Sequence, residues 1–125
     1  VFAGARTALP VRSMSTSDAA TARAAAEEGA RVTIASRSAE ELAEAAKAIG
    51  HNVVTGVLDA GDDASVDACF AAGEPWDHVV ASAGSGGRGR LPTIPMETAH
   101  VAMNGKFWAY YRIAKGRLAT LEERA

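Results

Sequence analysis

The chain has 125 residues, 48% of them hydrophobic and 22% charged, with a formal net charge of -2. This describes one globular domain rather than a disordered chain, and Lys and Arg scattered among Asp and Glu leave no basic stripe for a nucleic acid. No apolar run approaches the ~18 residues of a membrane span, and the first residues lack the basic-then-apolar order of a secretory signal, so a cytoplasmic protein with no membrane partner is expected.

In chain order, residues 1–17 read as an irregular segment. Val1 to Ala5 can begin a strand, but Arg6, Pro10 and Arg12 interrupt any continuation and Ser13 to Ser17 reads as loop, so no first strand is predicted. From Asp18 to about Lys115 the periodicity alternates between helix and strand. Asp18 is placed to cap an Ala-rich helix running through Gly29. Arg31 to Ser36 is short and β-branched, which suits a strand buried on both faces. Ser38 and Glu41 form a capping-box pattern, each able to satisfy the other's backbone N–H, at the start of a helix that Gly50 closes.

Asn52 to Leu58 is predicted as the next strand, ending at Asp59. A helix is predicted from Asp63 to Ala72, and a strand from Asp77 to Ala81. Arg37, Asp59 and Ala81 are equally spaced, each interval holding one helix and one strand, which fits βαβ crossovers. The fold class predicted is therefore α/β: a Rossmann-like parallel sheet with helices on both faces, truncated, over residues 18–125. A long helix is predicted from about Met96 into Ala119, with Phe107 and Tyr111 on one face as i, i+4 neighbours. A fourth strand left at the edge would be open to pairing and aggregation.

Cys69 is the only cysteine, which excludes an intrachain disulfide and a multi-thiolate metal site; it reads as part of a buried helix face. His51, His78 and His100 stand far apart without a second ligand at helical or strand spacing, so no zinc site is predicted.

Four stretches in order and at the right intervals make residues 20–115 resemble the short-chain dehydrogenase/reductase family. They are Thr21 to Val32, Ser36-Arg37-Ser38, Leu58-Asp59 and Ala81-Ser82-Ala83-Gly84. The resemblance implies an oxidoreductase that moves a hydride between NAD or NADP and a carbonyl or alcohol substrate. It implies cofactor-binding roles for Ser36, Arg37, Asp59, Ala81, Ser82, Ala83 and Gly84. A base at the tip of the second strand favours the extra phosphate of NADP, where an acid would favour the ribose of NAD. Asp59 stands where the family's acid meets the adenine amino group, with helix capping as the alternative role. Ala81 to Gly84 stands where the family has Asn-Asn-Ala-Gly.

The departures are as informative. Gly84, Gly86 and Gly89 satisfy G-x-G-x-x-G, but Leu91 to Pro95 follows where a helix should open, so the run is not read as a phosphate loop. Tyr111 and Lys115 match the family's Tyr-x-x-x-Lys but stand in what resembles its fourth helix, whereas the catalytic pair belongs to the fifth. They are read as packing residues, and no catalytic residue is assigned. The family's helix Asn falls at Ala102, with Asn104 out of register. The glycine loop expected before Ala20 is replaced by Ser13 to Asp18, which predicts poor cofactor affinity and puts a negative charge where phosphates should sit. Because the likeness begins abruptly near Ala20, residues 1 to about 17 are expected to derive from a shifted reading frame or a rearranged start, and the chain to be inactive without a catalytic half.

The alternative reading is a non-catalytic Rossmann-like module that binds a nucleotide or a protein. Phe107, Trp108, Tyr110 and Tyr111 on the last helix point to an interface, a homo-oligomer among the candidates. A flavodoxin-like or receiver domain is disfavoured, since no acidic cluster or phosphate loop ends a first strand.

Overall fold

Repetition of a short β-branched run followed by a capped helix folds the chain into a parallel sheet with helices on both faces. The structure is a computed structural model that describes residues 6–10, 16–72, 76–82 and 88–122, with side chains over 18–72, 76–82 and 88–120. In chain order the elements are β1 (Arg6–Pro10), α1 (Thr16–Glu27), β2 (Arg31–Ser36), α2 (Ala39–Ile49), β3 (Val54–Val57), α3 (Asp63–Ala71) and β4 (His78–Val79). They are followed by α4 (Met96–Met103), a π-helical segment (Asn104–Trp108) and α5 (Ala109–Glu122). The strands are parallel in the order β3-β2-β1-β4.

β1 corrects a sequence expectation, since no strand was predicted before Asp18. Arg6–Pro10 lies inside the sheet, paired along its length with β2, Arg6 opposite Arg31 and Pro10 opposite Ala35, and with β4 through Thr7 and Ala8. Pro10 is the last residue of the strand, so its missing N–H removes a donor only where the ladder ends. The strand is specified by the two neighbours it joins, a tertiary demand that overrides weak local propensity.

α1 also departs from expectation: it starts at Thr16, so Asp18 lies in its first turn rather than capping it, where the helix dipole favours an acid. The helix ends at Glu27 in a Schellman arrangement. Gly29 N–H reaches the Ala26 carbonyl at 3.0 Å and Ala30 N–H the Ala25 carbonyl at 3.0 Å. Gly29 takes φ 89°, a left-handed value that a side chain would strain.

The predicted capping box at α2 is half formed. Ser38 Oγ accepts from Glu41 N–H at 3.3 Å, but Ser38 N–H donates to Ser36 Oγ at 3.3 Å. The buried hydroxyl two residues upstream is thus the recorded partner of this N–H, where the box pattern assigned it to Glu41.

Alternation along β2 builds two cores. Val32 and Ile34 face α1 and α2, packing with Ala22, Ala25, Leu42 and Ile49. Ala35 faces the other way, into a cluster of Leu58, Val66, Phe70, Trp76 and Ile113 that joins α3 and α5 to the sheet. Cys69 packs at the margin of this cluster, and burial pushes its thiol pKa up, which makes it a poor nucleophile. Gly116 lets the backbone of α5 approach α3, because a Cβ there would stand 2.5 Å from Phe70 Cδ2.

The long C-terminal helix is helical throughout, as predicted, but not α-helical throughout. Over Asn104–Trp108 it widens, and the Ala109 N–H donates to the Asn104 carbonyl five residues back. Phe107, Trp108 and Tyr111 form edge-on pairs with ring centroids 5.0 and 5.8 Å apart. No helix among the described residues is long and apolar enough to cross a membrane.

Candidate functional site

In a doubly wound sheet, ligands bind outside the carboxyl ends of the strands where the strand order reverses. Here the chain moves from β1 outward to β2 and β3, then returns to β4 on the other side of β1, so the reversal lies between β1 and β4. The register puts Pro10, Ala35 and Ser36 at one edge of the sheet, with Val57 opposite Ser36. The Leu58 N–H donates to the Ser36 carbonyl at 2.8 Å, extending that pairing by one residue. The residues that follow, Arg37 and Asp59, therefore leave the ends of adjacent strands.

β4 runs parallel to β1 with Val79 opposite Ala8, so Ala81 and Ser82 emerge at the same end. Ala81 is half-buried against the second core and Ser82 is exposed. Ala83 and Gly84, together with Gly86, lie outside the described residues.

Ser36, Arg37 and Asp59 each have a defined environment. Ser36 is 0% exposed, and its hydroxyl serves the backbone of Ser38, so it shapes the turn from inside. Arg37 is exposed and makes no hydrogen bond or ion pair among the described residues. Asp59 is exposed, and its Oδ1 accepts from Gly61 N–H at 2.9 Å while its own N–H donates to Ser65 Oγ at 2.9 Å. Capping of α3 falls to Asp62, whose Oδ2 accepts from Ser65 N–H at 2.9 Å. Asp59 is thereby left out of the cap and held at the strand end.

Two residues beside Asp59 were not assigned from the sequence. Asn104 Nδ2 donates to the Gly61 carbonyl at 3.2 Å, so the π-helical segment touches the Asp59 turn. A Cβ on Gly61 would stand 3.1 Å from Asn104 Nδ2 and 3.2 Å from Asp59 Oδ1, which explains why the turn takes glycine. The Asp-x-Gly run was a signal for such a side-chain-closed turn; contact with Asn104 had none.

Tyr111 and Lys115 lie elsewhere. With Asp63, Asp67, Trp108 and Arg112 they line a cleft of about 300 Å³ between α3 and α5. Arg112 closes one end, bonded to the Asp63 carboxylate and, at 3.4 Å, to the Ala60 carbonyl. Gly89 is followed by a turn in which Thr93 and Ile94 N–H both reach the Arg90 carbonyl at 2.9 Å, and the next helix opens only at Met96. No helix N-terminus therefore follows the glycine run directly. A larger hollow, about 600 Å³, lies at the amino ends of β2 and β3 beside His51 and Asn52, at the wrong end of the sheet for a dinucleotide.

Residues 18–125 match the family model described as enoyl-(acyl carrier protein) reductase. Among solved structures, the chain is similar to a short-chain dehydrogenase from Mycobacterium smegmatis, with a TM-score of 0.89 and 23% identity over 98% of this chain and 53% of that one. A short-chain type dehydrogenase/reductase from Mycobacterium marinum aligns with a TM-score of 0.90 and 20% identity over 98% of this chain and 52% of that one. A provisionally assigned betaketoacyl-ACP reductase aligns with a TM-score of 0.88 and 26% identity over 99% of this chain and 52% of that one. The chain thus spans about half the length of these structures. No curated protein matches it.

Proposed function

Because the chain belongs to the short-chain dehydrogenase/reductase family, whose members are oxidoreductases that generally bind NAD or NADP, we propose that it carries the adenosine side of an NADP-preferring site. The observation that supports this most directly is the Leu58 to Ser36 hydrogen bond, which brings the strand ends before Arg37 and Asp59 side by side. The cofactor, when bound, supplies the hydride acceptor or donor for a carbonyl or alcohol substrate. Arg37 offers a guanidinium with no competing partner to a 2′-phosphate, and Asp59 offers the carboxylate oxygen that Gly61 does not hold to the adenine amino group. Ala81, Ser82, Ala83 and Gly84 carry no bulky side chain, so the backbone after β4 can come close to the cofactor.

The fit is uneven. The adenosine end has the right donors and acceptor, whereas Asp18 in the first turn of α1 opposes a diphosphate at that helix terminus. Weak binding is expected, and Asp18→Asn should tighten NADPH binding by about two- to fivefold, the value of one helix-terminal charge. Calorimetry would show it, and unchanged affinity would remove Asp18 from the account.

Tyr111 and Lys115 line the α3–α5 cleft rather than the strand ends, so this chain alone is expected to bind cofactor without turning substrate over. The test is a fluorescence titration of the full chain with NADPH and NADH. Tighter binding of NADPH supports the reading, and equal affinities overturn the NADP preference.

One observation favours an additional role in assembly. Phe107, Trp108 and Tyr111 are 54%, 47% and 57% exposed and adjacent, an apolar surface that a second copy of the chain can cover. Sedimentation is expected to show self-association that Trp108→Ala weakens; a monomeric wild-type chain would end this reading.

A further inference from the structure

In the turn after β3 the backbone carbonyls of Asp59, Ala60 and Gly61 are each engaged. The Asp59 carbonyl accepts from Asp62 N–H at 3.1 Å, the Ala60 carbonyl from Arg112 Nη1 at 3.4 Å and the Gly61 carbonyl from Asn104 Nδ2 at 3.2 Å. Two of these donors come from the C-terminal helix, which reaches the turn across more than forty positions of sequence. Asn104 begins the π-helical segment, and its own carbonyl takes the Ala109 N–H, so the residue is fixed at both its main chain and its side chain. The Asp59 carboxylate is fixed in turn through Gly61, and on this exposed residue the oxygen not held by Gly61 has no hydrogen-bond partner among the described residues.

An acceptor held in this way recognises a donor. Resting on the adenosine reading above, we infer that Asn104 is a positioning residue that clamps the Asp59–Gly61 turn and so makes the site select a 6-amino purine over a 6-oxo purine. A purine bearing an amino group at C6 donates to the carboxylate oxygen, whereas hypoxanthine presents a carbonyl there and sets two acceptors against each other. The preference depends on the turn being rigid, because a mobile carboxylate can rotate away from the oxo group and release the penalty. Arg37 lies on the neighbouring strand end and makes no bond to this turn, so selection of the base is separable from selection of the 2′-phosphate.

The experiment compares NADPH with its hypoxanthine analogue, and NADPH with NADH, by calorimetry on the full chain. The wild type is expected to favour adenine by about tenfold, the value of one hydrogen bond made against one denied. Asn104→Ala should bring that ratio to within about twofold while leaving the NADPH to NADH ratio in place, a separation that general loss of structure would not produce. Gly61→Ala, whose Cβ would press on both Asn104 Nδ2 and Asp59 Oδ1, should do the same with Asn104 intact. Faster amide exchange at Gly61 in Asn104→Ala is expected alongside. An unchanged base ratio in both variants overturns the positioning role and leaves the cofactor reading standing. A wild type that binds none of the three dinucleotides sinks the cofactor reading and this one with it.

Discussion

Replacing Ile34 with alanine is expected to remove about 2–5 kcal/mol of stability, a large part of the 5–15 kcal/mol typical of a domain. Ile34 is 0% exposed, in a strand paired on both sides, and its side chain joins α1 and α2 to the sheet through Ala22, Leu42 and Ile49. Several of the surrounding side chains are alanines, which have no rotamers with which to fill a void, so collapse around the lost atoms is limited. Most of the cavity cost should therefore persist. Urea unfolding monitored by circular dichroism would report it as a lower midpoint with little change in slope. A loss below about 1 kcal/mol would mean that this half of the sheet is not packed as described.

Arg37→Ala is expected to weaken NADPH binding by about 10- to 150-fold, which corresponds to the ~1.5–3 kcal/mol of a charge-assisted contact, with little effect on NADH. Solvent exposure of Arg37 places the result towards the tenfold end, since water screens the pair on one side. The effect should shrink as salt is raised, because an exposed ion pair is screened over about 8 Å at physiological ionic strength. Titrations of wild type and variant at two salt concentrations would measure both parts. Equal losses for NADPH and NADH would show that Arg37 supports the turn rather than reading the phosphate.

Much of the fold was legible because its signals are local. The β-branched run of β2, the Ser38 cap and the Leu42, Ala45 and Ile49 spacing of α2 all act within a few residues of one another. The order of Arg37, Asp59 and Ser82 at successive strand ends followed from the same repeat. Other features were not legible. β1 begins with Arg6, ends with Pro10 and is followed closely by Arg12, so nothing within it advertises a strand; its neighbours on both sides specify it. Competition between Glu41 and Ser36 for the Ser38 N–H was invisible until the turn was built. Helix capping stood as the alternative role for Asp59 on paper, and only the path of the turn gives the cap to Asp62.

What the sequence determined by itself is the set of helices and strands after Asp18 and the identity of the groups offered at their ends, since caps, periodicity and charge act over one or two turns of chain. The tertiary structure decided which of those groups meet. Parallel pairing brings Arg37 beside Asp59, and the widened helical turn at Asn104 reaches the Gly61 carbonyl from 43 residues away. Contacts of that range depend on which strands become neighbours and on the path of one helix, and neither is encoded by any single stretch of residues.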